Sequence, residues 1–254
     1  MKTLIIFAKV PLPGFVKTRL TAGTPLTEQM VCDLYEAFLK DVMTVSAMTS
    51  AETIAVHFTP AGEEKKMRSI MRGLNLGGRN ERRFVFQPQE GETFTERVAN
   101  SFATAAKFGA EAMAMIGADA PILKPEIMDA AFDFITARSG MTLGPSSEGG
   151  VYLIGFPGDV SLDFKDVFTE GSEIENLVGI AEKGNMPLKL LPEILDVDVE
   201  DDLITLLGVM KALNYERKFE TKVFPMNTFR VIEEMGLRVT RQADDTRHKK
   251  ILLP

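Results

Sequence analysis

The chain has 254 residues, 45% hydrophobic and 26% charged, which is enough to bury a substantial core in one α/β domain, or one domain with an appendage. Lys and Arg number 29 against 36 Asp and Glu, and the formal net charge of −7 argues against nucleic acid and anionic membrane as partners. One cysteine, two histidines and no tryptophan exclude an internal disulfide, a Cys-based zinc finger, a multi-His metal centre and a Trp-lined sugar platform.

Leu4–Ala8 is an apolar run ended by Lys9. It is too short for a signal peptide or a membrane span and reads as a buried first strand, so the expectation is a cytoplasmic protein. Met30, Val31, Leu34, Phe38, Val42 and Val45 recur at helical spacing and predict a helix over Thr27–Ala47. A strand over Thr53–Phe58, a helix over Glu63–Arg72 and a short strand over Arg83–Phe86 follow. Glu96–Lys107 reads as a helix and Ala112–Ile116 as a strand. Pro125 stands where a helix starts, ahead of an apolar stripe of Met128, Ala131, Phe132 and Ile135. Met141–Leu143 and Val151–Ile154 read as strands, Ser172–Lys183 as a helix capped by Ser172, Leu188–Leu191 as a strand and Val199–Leu213 as a helix.

This alternation predicts an α/β fold with a mostly parallel central sheet flanked by helices, in which ligands bind at the carboxyl ends of the strands. Residues 1–211 form the expected domain. Residues 212–254, richer in basic residues and punctuated by Pro225 and Gly236, read as a C-terminal appendage. Within it Asn227–Met235 reads as a helix and Gly236–Thr240 as a turn into a strand.

Four stretches carry candidate chemistry. The first is the loop after strand one, Phe7-Ala8-Lys9-Val10-Pro11-Leu12-Pro13-Gly14-Phe15-Val16-Lys17-Thr18-Arg19-Leu20, with no acid before Glu28. Lys9, Lys17 and Arg19 make a local positive pocket, and Gly14 lets the backbone turn tightly beside a ligand; cations and free N–H groups suit phosphate oxygens. An ordinary solvated basic loop is the other reading. The second is Gly117-Ala118-Asp119-Ala120-Pro121, where a carboxylate follows a buried strand. Asp119 either holds Mg²⁺ or Mn²⁺ bridging phosphates, or hydrogen-bonds the turn.

The third is Ser146-Ser147-Glu148-Gly149-Gly150-Val151. Gly149 and Gly150 allow close approach to a bulky group, and Glu148 suits sugar hydroxyls or an acceptor; a hairpin loop is the alternative. The fourth is Asp196-Val197-Asp198-Val199-Glu200-Asp201-Asp202. Asp196 and Asp198 share a face of an extended stretch, and either one completes a metal site with Asp119; Asp198 is also placed to cap the next helix. Farther on, Asp244, Asp245 and His248 supply either a third ligand or base, or a salt-bridged tail or dimer contact. His57 closes a strand and reads as a structural or rim histidine.

The ordered series F-A-K-x-P-x-P-G-x-V-K-T-R-L, G-x-D-x-P, E-G-G-x-Y-L-I-G and D-x-D-x-x-E-D-L strongly resembles a bacterial family of glycosyltransferase-A-like nucleotide-diphospho-sugar transferases, some linked to arsenosugar biosynthesis. The chain also resembles, more distantly, phospholactate guanylyltransferases and molybdopterin nucleotidyltransferases. The resemblance covers roughly residues 2–210. It implies a nucleotide-diphospho-sugar-binding fold, with Lys9, Lys17 and Arg19 at nucleotide or phosphate and Asp119 at Mg²⁺ or Mn²⁺. It also implies Glu148, Gly149 and Gly150 at the sugar or acceptor, and Gln89 and Arg97 in a nucleotide-side loop. Relatives commonly read G-S-D-C-P where this chain has Ala118 and Ala120.

The function expected is metal-dependent glycosyl transfer from a nucleoside-diphosphate sugar to a small-molecule acceptor, with Asp119 and Glu148 as the catalytic residues. The alternatives are nucleotidylyl transfer with release of pyrophosphate, and a non-catalytic nucleotide-sugar-binding module. A homodimer is a further expectation.

Overall fold

The computed structural model describes residues 1–220, 223–241 and 249–254. Asp244, Asp245 and His248 lie outside the described residues. In chain order the elements are β1 (Lys2–Lys9), α1 (Thr18–Gly23), α2 (Glu28–Ser46), β2 (Thr53–Thr59), α3 (Glu64–Arg72), α4 (Gly78–Glu81), β3 (Phe84–Pro88), α5 (Phe94–Lys107), β4 (Ala112–Gly117) and α6 (Pro125–Arg138). They continue with β5 (Met141–Pro145), β6 (Val151–Pro157), α7 (Glu173–Lys183), β7 (Leu188–Leu190), α8 (Glu200–Glu216), α9 (Met226–Met235), β8 (Arg238–Arg241) and β9 (Lys249–Leu252).

The predicted elements therefore stand where the apolar spacing put them, within a few residues. The two short helices α1 and α4 and the last strand β9 are not among the elements the spacing predicts. Ser172 sits at the start of α7, but its side chain makes no cap; its hydroxyl donates instead to the Gly149 carbonyl at 3.3 Å.

The chain divides into two compact units. The first comprises Met1–Ala8, Met43–Gly117 and Leu123–Ile194. It holds a seven-stranded sheet in the order β3-β2-β1-β4-β6-β5-β7. β1 pairs with β4, β2 with β3 and β5 with β7 in parallel, whereas β6 runs antiparallel to both β4 and β5. The reversal follows from the short Ser146–Gly150 connection, which is a hairpin and leaves no room for a crossover helix.

Strand β4 is buried from Ala112 to Ile116. Met113 and Met115, with Ile5, Leu143, Ile154 and Phe156, pack against Val98, Phe102 and Ala105 of α5 and Leu177 and Ala181 of α7. Phe102 stacks on Phe164 at 5.6 Å and meets the edge of Phe156 at 5.4 Å. Such aromatic pairs add about 1 kcal/mol each beyond area burial. Helix α6 buries the stripe Met128, Ala131, Phe132 and Ile135 and contacts β4, β5 and β6.

The second unit comprises Lys9–Val42, Ala118–Ile122 and Leu195–Pro254. It collects three chain segments that directly follow β1, β4 and the residues after β7. Asp41 is only 3% exposed and receives the Thr228 N–H at 2.7 Å and the Asn227 N–H at 3.1 Å, tying α2 to the first turn of α9. A carboxylate at a helix N-terminus satisfies orphan N–H groups and suits the helix dipole. Helix α8 runs through residues 211 and 212 without a break, and its Glu200 receives the Ile251 N–H of β9 at 2.9 Å.

Candidate functional site

The basic loop after β1 begins with a tight turn. The Phe15 N–H donates to the Leu12 carbonyl at 3.0 Å, with Pro13 and Gly14 at the two corners. Gly14 has φ +73°, the left-handed value this turn requires at its third position. A Cβ there would also stand 3.0 Å from Oε2 of Glu28. Three residues later Lys17, at φ +46°, occupies the left-handed region just before α1. A lysine gains nothing intrinsic from that conformation, which costs an L-residue about 1–2 kcal/mol. Its carbonyl accepts the Leu20 N–H at 2.9 Å, which places it at the start of α1.

Lys17 Nζ donates to Asp119 Oδ2 at 2.8 Å and to Asp198 Oδ1 at 2.5 Å. The lysine side chain is 8% exposed, those of Asp119 and Asp198 30% and 46%. Burial alone would lower the Lys17 pKa. The charges and hydrogen bonds of Asp119 and Asp198 outweigh it and hold the ammonium well above the usual lysine range. Lys17 is thus a fixed cation gripped from both sides.

The two acidic segments are joined through their backbones as well, because the Val197 N–H donates to the Asp119 carbonyl at 3.0 Å. Asp198 does not cap α8. Oδ2 of Asp202 receives the N–H groups of Asp198 and Val199, each at 2.9 Å, and frees the Asp198 side chain for Lys17. Of the alternatives at 196 and 198, Asp198 is the one brought to Asp119 through this lysine.

Tyr35 of α2 completes the surroundings. Its hydroxyl accepts the Lys9 N–H at 3.0 Å, and burial, followed by the negative charge of Asp119, pushes its pKa above the usual tyrosine range. The sequence reading missed this residue. Its signal was a polar-tipped aromatic one position past Leu34, in the apolar stripe of α2. Lys9 places its ammonium 5.5 Å from the centre of the Phe15 ring. Arg19 is exposed and lines an open cleft with Gly23, Val199, Glu200, Lys249 and Lys250.

Two carboxylates meeting on a single cation are the hard oxygen donors that Mg²⁺ and Mn²⁺ take, and Mg²⁺ is often held by one or two protein carboxylates with substrate phosphates filling the rest. Among the described residues no cluster of three or more His, Cys, Asp or Glu side chains gathers as a ligand set. The pair therefore fits a metal shared with a substrate, not an all-protein cage.

The remaining predicted residues lie in the first unit. Gln89 clamps backbone: its amide donates to the carbonyls of Ala8 and His57, each at 3.0 Å. Arg97 holds its own loop, donating to the carbonyls of Gly91 at 3.0 Å and Glu92 at 3.2 Å. Thr93 caps α5 in a reciprocal box with Glu96. Glu148 has φ +58°. At Gly149 a Cβ would come 2.8 Å from the Ser172 hydroxyl, and at Gly150 3.0 Å from that of Ser146. The close approach these glycines permit is thus to serines of the protein itself. His57 is buried within β2, and among the described residues its Nε2 has no hydrogen-bond partner. Among the described residues no helix is long and apolar enough to cross a membrane.

Residues 42–170, just over half of the chain, match the family described as "Uncharacterized protein conserved in bacteria (DUF2064)". No curated protein matches the sequence. Among solved structures, a protein of Desulfovibrio desulfuricans G20 provisionally assigned as a nucleotide-diphospho-sugar transferase superimposes with a TM-score of 0.76 at 24% identity, over 92% of this chain and 95% of that one. A cytidylyltransferase of Leptospira borgpetersenii gives 0.54 at 14% identity, over 92% and 94%. The 4-diphosphocytidyl-2C-methyl-D-erythritol synthase of Anaerococcus prevotii gives 0.54 at 9% identity, over 83% and 96%. What these three structures share with this chain is the fold, the α/β architecture expected from the sequence.

Proposed function

This chain belongs to the DUF2064 family, and we propose that it is a transferase acting on a nucleoside-diphosphate sugar with the help of Mg²⁺ or Mn²⁺. One observation carries the reading: Lys17, Asp119 and Asp198, from three separate chain segments, converge on one point. Two carboxylates and a cation so arranged suit a diphosphate and its counter-ion.

In glycosyl transfer the barrier lies in the departing diphosphate, on which negative charge grows as the bond to the sugar breaks. Asp119 and Asp198 would hold the divalent ion, which supplies Lewis-acid stabilisation of that charge when bound. Lys17 and Arg19 orient and neutralise the phosphate oxygens, and Lys9 stands in the same loop. Preorganised charge of this kind contributes roughly 3 kcal/mol per contact, about a hundredfold in rate. Glu148 keeps its assignment to the acceptor hydroxyl, supported by a left-handed backbone that is uncommon for glutamate. Gly149 and Gly150 keep the sugar or acceptor side, and Gln89 and Arg97 the nucleotide-side loop, that the family resemblance gave them, and Asp196 remains the alternate to Asp198.

A second reading is nucleotidylyl transfer, because the cytidylyltransferase and the erythritol synthase share the fold. The products separate the two. Incubation with nucleotide sugars and Mn²⁺ yields free nucleoside diphosphate under the first reading. Release of pyrophosphate from a nucleoside triphosphate supports the second. A thermal-shift screen of nucleotides and nucleotide sugars, with and without Mn²⁺, identifies the donor, since a ligand of the native state raises the melting temperature. Binding without turnover would favour a non-catalytic module.

A further inference from the structure

We infer that Lys17 is an internal counter-ion that competes with the divalent cation for Asp119 and Asp198, and so couples cation entry to release of its own ammonium toward phosphate. The inference rests on the metal assignment proposed above and goes beyond it, because it gives Lys17 two successive partners.

The geometry requires such a choice. The ammonium is hydrogen-bonded to one oxygen of each carboxylate, at 2.8 and 2.5 Å, so it stands between the two groups where a shared cation would sit. An ammonium and a divalent ion cannot occupy that point together. Without either, two carboxylates this close to one point would repel each other in a partly desolvated place. Lys17 removes the repulsion between the two side chains, whose segments the Val197 to Asp119 backbone bond already sets side by side.

The lysine is also suited to leave. Its four-carbon stem can swing the charge while the backbone stays in place. Asp119 and Asp198, at 30% and 46% side-chain exposure, are open enough to be approached by a hydrated cation. Once the carboxylates turn to that cation, the ammonium is free for a phosphate oxygen. Cation and phosphate then bind cooperatively.

The test is titration calorimetry of the whole chain with Mn²⁺ alone, for the natural protein and for Lys17→Met, with thermal unfolding to establish that the variant is folded. Removing the competitor is expected to tighten Mn²⁺ binding by about tenfold or more. Lys17→Gln, which keeps a hydrogen-bond donor without the charge, serves if the methionine variant does not fold and is expected to move the same way. The natural protein provides an independent arm. Acetylation of Lys17 by an N-hydroxysuccinimide ester, followed by mass spectrometry, should rise when Mn²⁺ is added. Equal Mn²⁺ affinity in the natural protein and the variants, or labelling of Lys17 that Mn²⁺ leaves unchanged, overturns the competition while leaving the metal assignment standing. Absence of Mn²⁺ binding in every form, both alone and in the presence of a nucleoside diphosphate, overturns both.

Discussion

Val197 and Asp119 are bonded main chain to main chain, N–H to carbonyl at 3.0 Å, across 78 positions of sequence. That bond sets the loop after β4 beside the stretch leading into α8, so that Asp119 and Asp198 reach the same lysine. The side chains meet because the backbones are already aligned. A site built this way is held by main-chain geometry, and single side-chain changes at it should alter binding far more than folding.

The phosphate-binding assignment gives the first prediction. At saturating Mn²⁺, Lys17→Ala combined with Arg19→Ala should weaken nucleoside diphosphate binding about a hundredfold and nucleoside binding little, as expected for charge-stabilising contacts. Calorimetry with the matched pair of ligands measures the difference. Equal losses for both ligands would move the two residues away from the phosphates.

His57 makes stability pH-dependent. Burial holds its pKa near 4, against 6.5 for an unburied imidazole. Between those values the unfolded chain binds the proton and the folded one does not. The contribution is therefore complete above about pH 6.5 and is lost progressively as the pH falls toward about 4, by about 3 kcal/mol in total. Urea unfolding across this range should give a steeper acid-side decline for the natural protein than for His57→Phe. Parallel curves would show that the imidazole is protonated without cost in the fold.

Asp41 anchors the last described helix. Its carboxylate accepts from Thr228 N–H at 2.7 Å, Asn227 N–H at 3.1 Å and the Asn227 amide at 2.8 Å. Asp41→Ala should destabilise the protein by roughly 2–4 kcal/mol, because it leaves buried donors unpaired. Hydrogen exchange should speed up first at Thr228 and along α9. If exchange there is unaffected, the helix is held by its apolar face alone.

Much of the fold was legible because apolar spacing encodes element type: the Met30-to-Val45 stripe gave α2 and the Ala112–Ile116 run gave β4. Strand direction was not legible, since a buried run reads the same either way; only the Ser146–Gly150 hairpin reverses β6. Lys17, Asp119 and Asp198 were visible as charged residues at element ends. Their meeting was not, because Asp119 and Asp198 come to Lys17 from distant parts of the chain, which local spacing does not report. The helix-capping role that Asp198 offered passed to Asp202, four residues on, a substitution local spacing leaves open. Tyr35 and Asp41 were hidden in the apolar face of α2, where a buried polar tip announces a partner without naming it.

The central claim is that Asp119 helps hold a divalent cation against a diphosphate. Its most direct test is calorimetry of Asp119→Ala with the nucleoside diphosphate that gives the largest thermal shift, in the presence and absence of Mn²⁺. The account predicts a folded variant in which Mn²⁺ no longer strengthens nucleotide binding. A variant that binds the nucleotide with unchanged, Mn²⁺-dependent affinity would contradict it.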